Sequence, residues 1–596
     1  MDDVSMTPQN TAAIPDNTIL AVDIRQLSYE YPSGVRALNR IDLTIAKGQC
    51  VAIMGANGAG KSTLCLTLNG IIPHSVGGTV YGAVHIAGMD TMTHQVHDLA
   101  RRVGLVMQNP EAQLLCPTVE DELAFGPENL CVPVEEIRER IHATATAVRI
   151  ADLLDRGPTD LSGGQIQRVI TAAMLAMNPE IIVFDEATSA LDPRGALDLF
   201  ALARELNLTR GMTVLMAEHK SEPIAEFADR VVILDKGEII DVGTPQQVFS
   251  QVERLTTLKI APPQVTRLMH ELGFAAEALP ITLEAAEAMI RARLAAASIP
   301  PLTTDVIRED RQVAAPAAGV ETAPIIEARN ISFRYPGEID ALREITLTIR
   351  EGEFVGLIGE NGAGKTTLVK HFVGLLKPTG GELSVLGRPS GSLTTSGLAG
   401  RIGLVLQNPD HQLFKTSVVD EVKVGPIRLR LAGDALEERV RVAMQDVGIL
   451  EMADKHPLSL SWGDRQRVAL ASILAMQPQV VIFDEPTTGQ DLAGRTIFMD
   501  LAHALNKKGY TIIVITHDME LITRYAQRCV VMKQGRIVMD DTTKEVFRHP
   551  DLLRDTFIEV PQIVQLAHRL SDCGVPANTL TVEEMTGVLR RRGVGQ

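Results

Sequence analysis

The chain has a single tryptophan, Trp462, in 596 residues, and aromatic side chains make up only 4% of it. Cysteine is sparse: Cys50, Cys65, Cys116, Cys131, Cys529 and Cys573 form no Cys-x-x-Cys pair and show no metal-ligand spacing. That argues against a disulfide framework and for buried or free thiols in a reducing compartment. Basic charge is in deficit, with 57 Lys and Arg against 74 Asp and Glu, a net charge of −17 and a pI near 5.4. An acidic surface disfavours nucleic acid and anionic membrane as direct partners, while leaving room for a local basic nucleotide site. The start, Met1-Asp2-Asp3-Val4-Ser5, is acidic where a signal peptide is basic, and no apolar core follows it. Apolar runs such as Ile181 to Phe184 and Val480 to Phe483 suit buried strands, not a span of about 20 residues. The expectation is a soluble chain, or one held at a membrane by a partner.

What is present is enough for several cores. Hydrophobic residues are 45% and charged residues 22% of the chain, ordinary for a globular protein. A prior of about 150 residues per domain gives three to four units. Self-comparison shows a duplication. Gly55-Ala56-Asn57-Gly58-Ala59-Gly60-Lys61-Ser62 recurs 304 residues later as Gly359-Glu360-Asn361-Gly362-Ala363-Gly364-Lys365-Thr366. Gln108-Asn109-Pro110 and the run Ile181 to Glu186 recur 299 residues later, at Gln407-Asn408-Pro409 and Val480 to Glu485. Glu218-His219 recurs as Thr516-His517. The match continues past each core, where Pro263-Gln264-Val265 parallels Pro561-Gln562-Ile563. The expected organisation is a disordered tail at 1–19, a first domain at 20–250 with a helical appendage at 251–299, a Pro- and Ala-rich linker at 300–323, and a second domain at 324–549 with its appendage at 550–596. The expected class is α/β, two tandem phosphate-loop domains.

The chemistry is legible in each copy. The first glycine-rich loop follows an apolar strand, Cys50 to Met54, and opens a helix near Ser62, the context a phosphate-binding loop requires. Glycines at 55, 58 and 60 let backbone N–H groups face phosphate, and the helix N-terminus adds positive potential. Lys61 is placed to reach the β- and γ-phosphates of ATP and Ser62 to ligate Mg2+; Lys365 and Thr366 repeat those roles beside Gly359, Gly362 and Gly364. Asp185 and Asp484 suit Mg2+, usually through water, and Glu186 and Glu485 suit the attacking water. His219 and His517 each follow an apolar strand, and their repetition favours a γ-phosphate contact. Tyr31 and Tyr335 each lie 24 residues before the loop. A ring there either stacks on adenine or packs a strand end, with Tyr29 and Phe333 as neighbouring candidates.

The order of phosphate loop, Gln108, Leu161-Ser162-Gly163-Gly164-Gln165, Asp185-Glu186 and His219 resembles the nucleotide-binding domain of ABC ATPases, twice over. The resemblance implies that two such domains pair head to tail within this chain, each ATP lying between one phosphate loop and the other domain's signature loop. Nucleotide contacts then extend to Asn57, Thr63, Ser162, Gly163, Gly164 and Gln165, and to Asn361, Thr367, Ser461 and Gly463, with Gln108 and Gln407 near the metal and the γ-phosphate. Ser189-Ala190-Leu191-Asp192 matches the family's D-loop; Thr488-Gly489-Gln490-Asp491 keeps only the aspartate. A narrower similarity, to the ATPase subunits of energy-coupling factor (ECF) importers, rests on Gln108-Asn109-Pro110-Glu111-Ala112-Gln113-Leu114 followed by Phe125-Gly126-Pro127. It rests equally on Gln407-Asn408-Pro409-Asp410-His411-Gln412-Leu413 followed by Gly425-Pro426. It implies a transmembrane coupling subunit and a small substrate-capture membrane subunit as partners, no nucleic acid, a place at the cytoplasmic face of the membrane, and a vitamin or metal ion as cargo. The alternatives are a soluble twin-cassette ATPase acting on ribosomes or nucleic acid, and a tandem sugar-importer ATPase.

The copies diverge at the signature loop, where the second reads Leu460-Ser461-Trp462-Gly463-Asp464. Head-to-tail pairing sets that loop opposite Lys61, Glu186 and His219. Trp462 adds bulk where the backbone must come close, and Asp464 brings negative charge toward phosphate. Either the Lys61 site turns over more slowly, or Trp462 points away and both sites fire equally. His85, His94 and His97 are expected in a loop-helix insertion of the first copy, as solvated surface rather than a metal site.

Overall fold

The structure, a computed structural model, describes residues 18–189, 191–296, 323–336, 339–389, 395–488 and 490–595. The expected tail, except 18 and 19, and the expected linker, except Ala323, fall outside these residues, as do Ala190 and Gly489 of the two D-loops. The chain forms two compact units, one running to Met289 and the other from Ile290 to Val594, with Gly595 grouped with the first.

The first unit holds a six-stranded sheet in the order Glu238–Gly243, Arg230–Asp235, Cys50–Met54, Thr213–Ala217, Ile181–Asp185, Val103–Val106. All its pairings are parallel except the hairpin at Glu238–Gly243. Cys50–Met54, Ile181–Asp185 and Thr213–Ala217 are buried at every position. A parallel strand is covered on both faces, so it reads as a continuous apolar run rather than an alternating one. One face, with Ile53, Val183 and Leu215, packs on an antiparallel four-stranded sheet through Val22, Ile24 and Leu43. The other, with Met54, Phe184 and Met216, packs on helices through Val169, Ile170 and Phe200.

The second unit repeats the order, from Ile402–Val405 through Val480–Asp484, Thr511–Ile515, Phe354–Gly359 and Arg528–Lys533 to Arg536–Thr542. Its two cores again lie on opposite faces of this sheet. Past each sheet the chain carries amphipathic helices, Gln264–Glu271 and Leu283–Ala296, then Gln562–Arg569 and Val582–Arg591. Val265, Leu268 and Met269, and in the second copy Ile563, Val564 and Leu566, make their buried faces. Among the described residues no helix is long and apolar enough to cross a membrane.

Parallel pairing fixes where the chemistry sits. Asp185 is in register with Ala217, Ile53 with Ala217, and Val106 with Phe184. The carboxyl ends of four strands therefore meet at one edge, from which the chain runs into Gly55, Gln108, Glu186 and Glu218. Ligands bind at such an edge in open α/β sheets.

One expectation is corrected. His85, His94 and His97 do not lie in an insertion of the first copy. His85 is on a strand, Thr79–Ile86, and both this strand and the helix Val96–Leu99 have counterparts at Gly380–Val385 and Thr395–Leu398. Ser28 pairs with Tyr81 and Ser332 with Gly380, so the extra residues of the first copy fall between Gly70 and Tyr81. Among the described residues no group of His, Cys, Asp and Glu has metal-binding geometry.

Candidate functional site

Sterics dictate the phosphate loop. A Cβ on Gly55 would sit 2.2 Å from the Leu234 carbonyl oxygen, and one on Gly359 at 2.2 Å from that of Met532. Gly60 and Gly364 precede the helices Lys61–Leu68 and Lys365–Phe372 at φ 106° and 98°, a left-handed backbone that side chains avoid. Curled this way, the loop buries its own lysine. Lys61 Nζ donates to the carbonyls of Gly55 (3.1 Å) and Ala56 (3.3 Å), and Lys365 Nζ to those of Gly359 (2.6 Å) and Glu360 (2.8 Å).

In the first unit the predicted residues converge on Glu186. Its Oε1 lies 3.1 Å from Lys61 Nζ and 3.0 Å from His219 Nε2, and its Oε2 accepts from Gln108 Nε2 at 3.0 Å. Burial raises the carboxyl, but His219 and Lys61 outweigh it and hold it down at about 2. Next to it, Asp185 Oδ1 accepts from the Ser62 hydroxyl at 3.0 Å, and burial pushes its carboxyl up to about 6. The second unit repeats the frame with different wiring. Thr366 donates to Asp484 Oδ1 at 3.2 Å, and Asp484 is likewise pushed up to about 6, by burial and the charge of Glu485. His517 Nε2 lies 3.0 Å from Glu485 Oε1 and 2.9 Å from Asn361 Oδ1. No counterpart of the Gln108 bond joins Gln407 to Glu485 among the described residues. Both glutamates adopt a left-handed backbone, φ 49° at Glu186 and 51° at Glu485, unusual for a residue with a side chain. Bonds from their N–H groups to Ala217 O and Ile515 O, each 2.9 Å, hold that conformation.

A hydroxyl beside a buried, incompletely compensated carboxylate is a hard oxygen donor pair. It suits Mg2+, which keeps several waters and takes its other ligands from phosphate. Ser62 with Asp185, and Thr366 with Asp484, fit that ion.

The aromatic candidates separate. Tyr29 is fully buried, its hydroxyl donating to Gly77 O at 2.6 Å, so its ring is unavailable for a base. Tyr31 is half-buried, edge-on to Tyr29 with centroids 4.8 Å apart, its hydroxyl 3.0 Å from Thr63 Oγ1. Tyr335 and Thr367 form the same pair at 3.4 Å, and Phe333 is wedged edge-on between Tyr335 and His371.

The signature loops stand at helix starts. Ser162 caps Gly163–Ala176, its Oγ accepting from Gln165 N, while Gln165 Oε1 accepts from Ser162 N. Gly163 and Gly164 form the first turn. Ser461 caps Trp462–Leu474, with Gly463 in its first turn, but the reciprocal bond is lost and the Ser461 hydroxyl instead donates to Asp464 Oδ2 at 2.7 Å. The carboxylate of Asp464, expected to bring negative charge toward phosphate, is paired with Arg467. In the first copy the equivalent Arg168 pairs with Asp198 at 2.6 Å, and the register position of Asp198 is occupied in the second copy by Ile497. Trp462 Nε1 is buried with no partner among the described residues. The signature residues form no hydrogen bond to the phosphate-loop cluster of their own unit among the described residues.

Sequence reasoning missed Glu218. Its side chain is 3% exposed and accepts from both the N–H (3.2 Å) and the hydroxyl (2.8 Å) of Thr188. Burial pushes it up to about 7. In the second copy Thr516 and Thr487 make a neutral hydroxyl pair at 2.9 Å instead. The signal was visible as an acid before one histidine and a threonine before the other.

The ABC transporter family profile matches residues 38–189 and 342–488, half of the chain, once in each unit. A Methanosarcina mazei protein provisionally named an ABC transporter ATP-binding protein is 38% identical over 97% of this chain and 99% of its own length. The chain belongs to the ABC transporter family. It is an ATP-binding component with two ABC domains, of a family that hydrolyses ATP, and ABC ATPases normally act with membrane subunits. A Caldanaerobacter subterraneus relative with the same provisional name is 37% identical over 97% of this chain and 100% of its own, and one from Vibrio vulnificus is 31% identical over 93% and 95%. Among solved structures, CbiO1 of Clostridium perfringens, described as part of the ABC transporter complex CbiONQ, is 35% identical over 41% of this chain and 99% of its own, with a TM-score of 0.37.

Glu218 yields a test of this wiring. Its carboxyl is raised from about 4.5 to about 7 in the fold, so the native state binds its proton more tightly than the unfolded chain does. Its contribution to stability is fully present below pH 4.5 and is lost as the pH rises to 7, to a limit of about 3 kcal/mol. Glu218→Gln is therefore expected to raise Tm by several degrees at pH 8.5 and leave it unchanged at pH 4.5; calorimetry at the two pH values checks it.

Proposed function

We propose that this ABC ATPase energises an ECF-type importer of a micronutrient, a vitamin or a transition-metal ion, docked on a transmembrane coupling subunit that works with a small substrate-capture membrane subunit. The observation that carries this reading is the loop after each glutamine. Gln113 Oε1 accepts from Met107 N and its Nε2 donates to Leu105 O; Gln412 does the same with Leu406 N and Leu404 O. One oxygen of buried Glu122 accepts from Leu115 N and Cys116 N, and one of Glu421 from Phe414 N and Lys415 N. Both loops are thus pinned at base and tip while presenting an apolar side chain outward, Leu115 at 71% exposed and Phe414 at 68%. A rigid loop with an exposed apolar tip supports docking on a partner. The helices Gln264–Glu271, Leu283–Ala296, Gln562–Arg569 and Val582–Arg591, read as appendages, fit the same subunit type.

In this reading Lys61 and Lys365 bind phosphate, supported by the loop N–H groups, and Tyr31 and Tyr335 border the base. Ser62 with Asp185, and Thr366 with Asp484, hold Mg2+, which supplies neutralisation of phosphate charge. Glu186 and Glu485 orient and deprotonate the attacking water, and His219 and His517 hold them in place. The Lys61–Glu186 pair must part before Lys61 turns to phosphate, so nucleotide binding itself frees the base. Gln108, bonded to Glu186, connects that base to its docking loop, and Gln407 holds the same place in the second sequence copy. Head-to-tail pairing of the domains assigns Ser162 to the Lys365 nucleotide and Ser461 to the Lys61 nucleotide. The engaged Ser461 hydroxyl is one donor fewer for that phosphate, and losing a well-placed donor costs roughly 10²-fold in rate. The Lys61 site is the slower one.

Two outcomes follow. Glu485→Gln should lower steady-state ATPase by more than about fivefold and Glu186→Gln by less than about twofold; equal losses overturn the inequality. The chain should co-purify from detergent-solubilised membranes with a polytopic subunit, and the Leu115→Asp/Phe414→Asp variant should lose it while retaining ATP binding. Purification with ribosomes and no membrane subunit overturns the importer reading.

A further inference from the structure

The second signature helix is tied to its glutamine loop by a contact that the first copy lacks. Arg465, the residue after Asp464, places Nη1 3.1 and 3.0 Å from the two carboxylate oxygens of Asp410, three residues after Gln407. Its remaining arms are used as well. Nε donates to Leu460 O at 3.0 Å and Nη2 to Leu458 O at 2.7 Å, so one guanidinium joins the strand of chain leading into Ser461 to the turn Pro409–His411. In the first copy the register positions hold Ile166, which is buried, and Glu111, which is exposed and makes no ion pair among the described residues. There no guanidinium–carboxylate pair joins the signature helix to the corresponding turn among the described residues. A guanidinium with every arm occupied fixes one relative position of the two segments it joins.

We propose that Asp410 and Arg465 are positioning residues for ATP hydrolysis, which make the second copy's glutamine loop and signature loop move as one piece. Gln407 and Ser461 attach to the two ends of that piece. A displacement at Gln407, from nucleotide or from a docked partner, is delivered directly to the serine, while the first copy transmits the same displacement loosely from Gln108 to Ser162. The two loops are then unequal in coupling as well as in chemistry, and this holds whatever the importer carries.

The pair is partly exposed, with side chains 22% and 36% accessible, so its loss should leave the fold intact. With the full chain, Asp410→Asn and Arg465→Ala are each expected to slow the Lys61-site phase of single-turnover ATP hydrolysis roughly tenfold, with the Lys365-site phase and KM within about twofold and Tm within about 2 °C. The double variant should be no worse than the worse single one, as for two residues acting through one contact. Asp410→Glu, which restores a carboxylate, should recover most of the rate, and Glu111→Ala in the first copy should leave it unchanged. Multiplying losses in the double variant, an unaltered Lys61-site phase in Asp410→Asn, or a loss that tracks a fall in Tm overturns the proposal.

Discussion

A buried ammonium group governs this site. Lys61 and Lys365 are 4% and 6% exposed, and a charge removed from water costs several kcal/mol unless it is paired. The loop that buries each lysine supplies two carbonyls, and in the first copy Glu186 supplies the neutralising charge. That requirement explains why the glycines at 55 and 359 are forced and why the strand carrying the glutamate, one strand removed from the loop strand, ends at the same sheet edge. Incoming phosphate exchanges one partner of the lysine for another. In the first copy the carboxylate it displaces is Glu186, the base of the proposed mechanism.

The copies share this frame and differ in compensated sets around it. Where Asp198 holds Arg168, Ile497 stands in the second copy and the arginine is held by Asp464. Where Glu218 braces Thr188, a threonine pair does so neutrally. Where Leu191 is packed in the first D-loop, buried Gln490 bonds to Gln466 and Pro486. Each swap keeps a contact while changing its chemistry. The Trp462 and Asp464 departures are therefore parts of a rebuilt helix start, not isolated lesions.

Strands with uniform apolar content, such as Ile181–Asp185 and Thr511–Ile515, were legible because a buried parallel strand has one sequence solution. The phosphate loop, the paired acids and the strand-end histidines were legible because their spacing is set by backbone geometry. Side-chain partners were not. The charge of Asp464 looked repulsive because the sequence does not show Arg467 turning toward it, and Arg465 could not be matched to Asp410 across 55 residues. Glu218 was hidden for a related reason, since burial of a carboxyl depends on what covers it. Tyr29 and Tyr31 are two residues apart on one strand, and only packing separates the sealed ring from the half-open one. The histidine segment was misplaced because a five-residue difference in length, from separations of 304 and 299, cannot be located by offset alone.

Inequality of the two nucleotide sites is the central claim, and rapid-quench measurement of phosphate release from chain preloaded with two ATP-Mg2+ tests it most directly. Two phases of equal amplitude, one ATP per chain each and separated by roughly tenfold or more in rate, are expected from the loss of one donor. A single exponential accounting for both ATP molecules would contradict it.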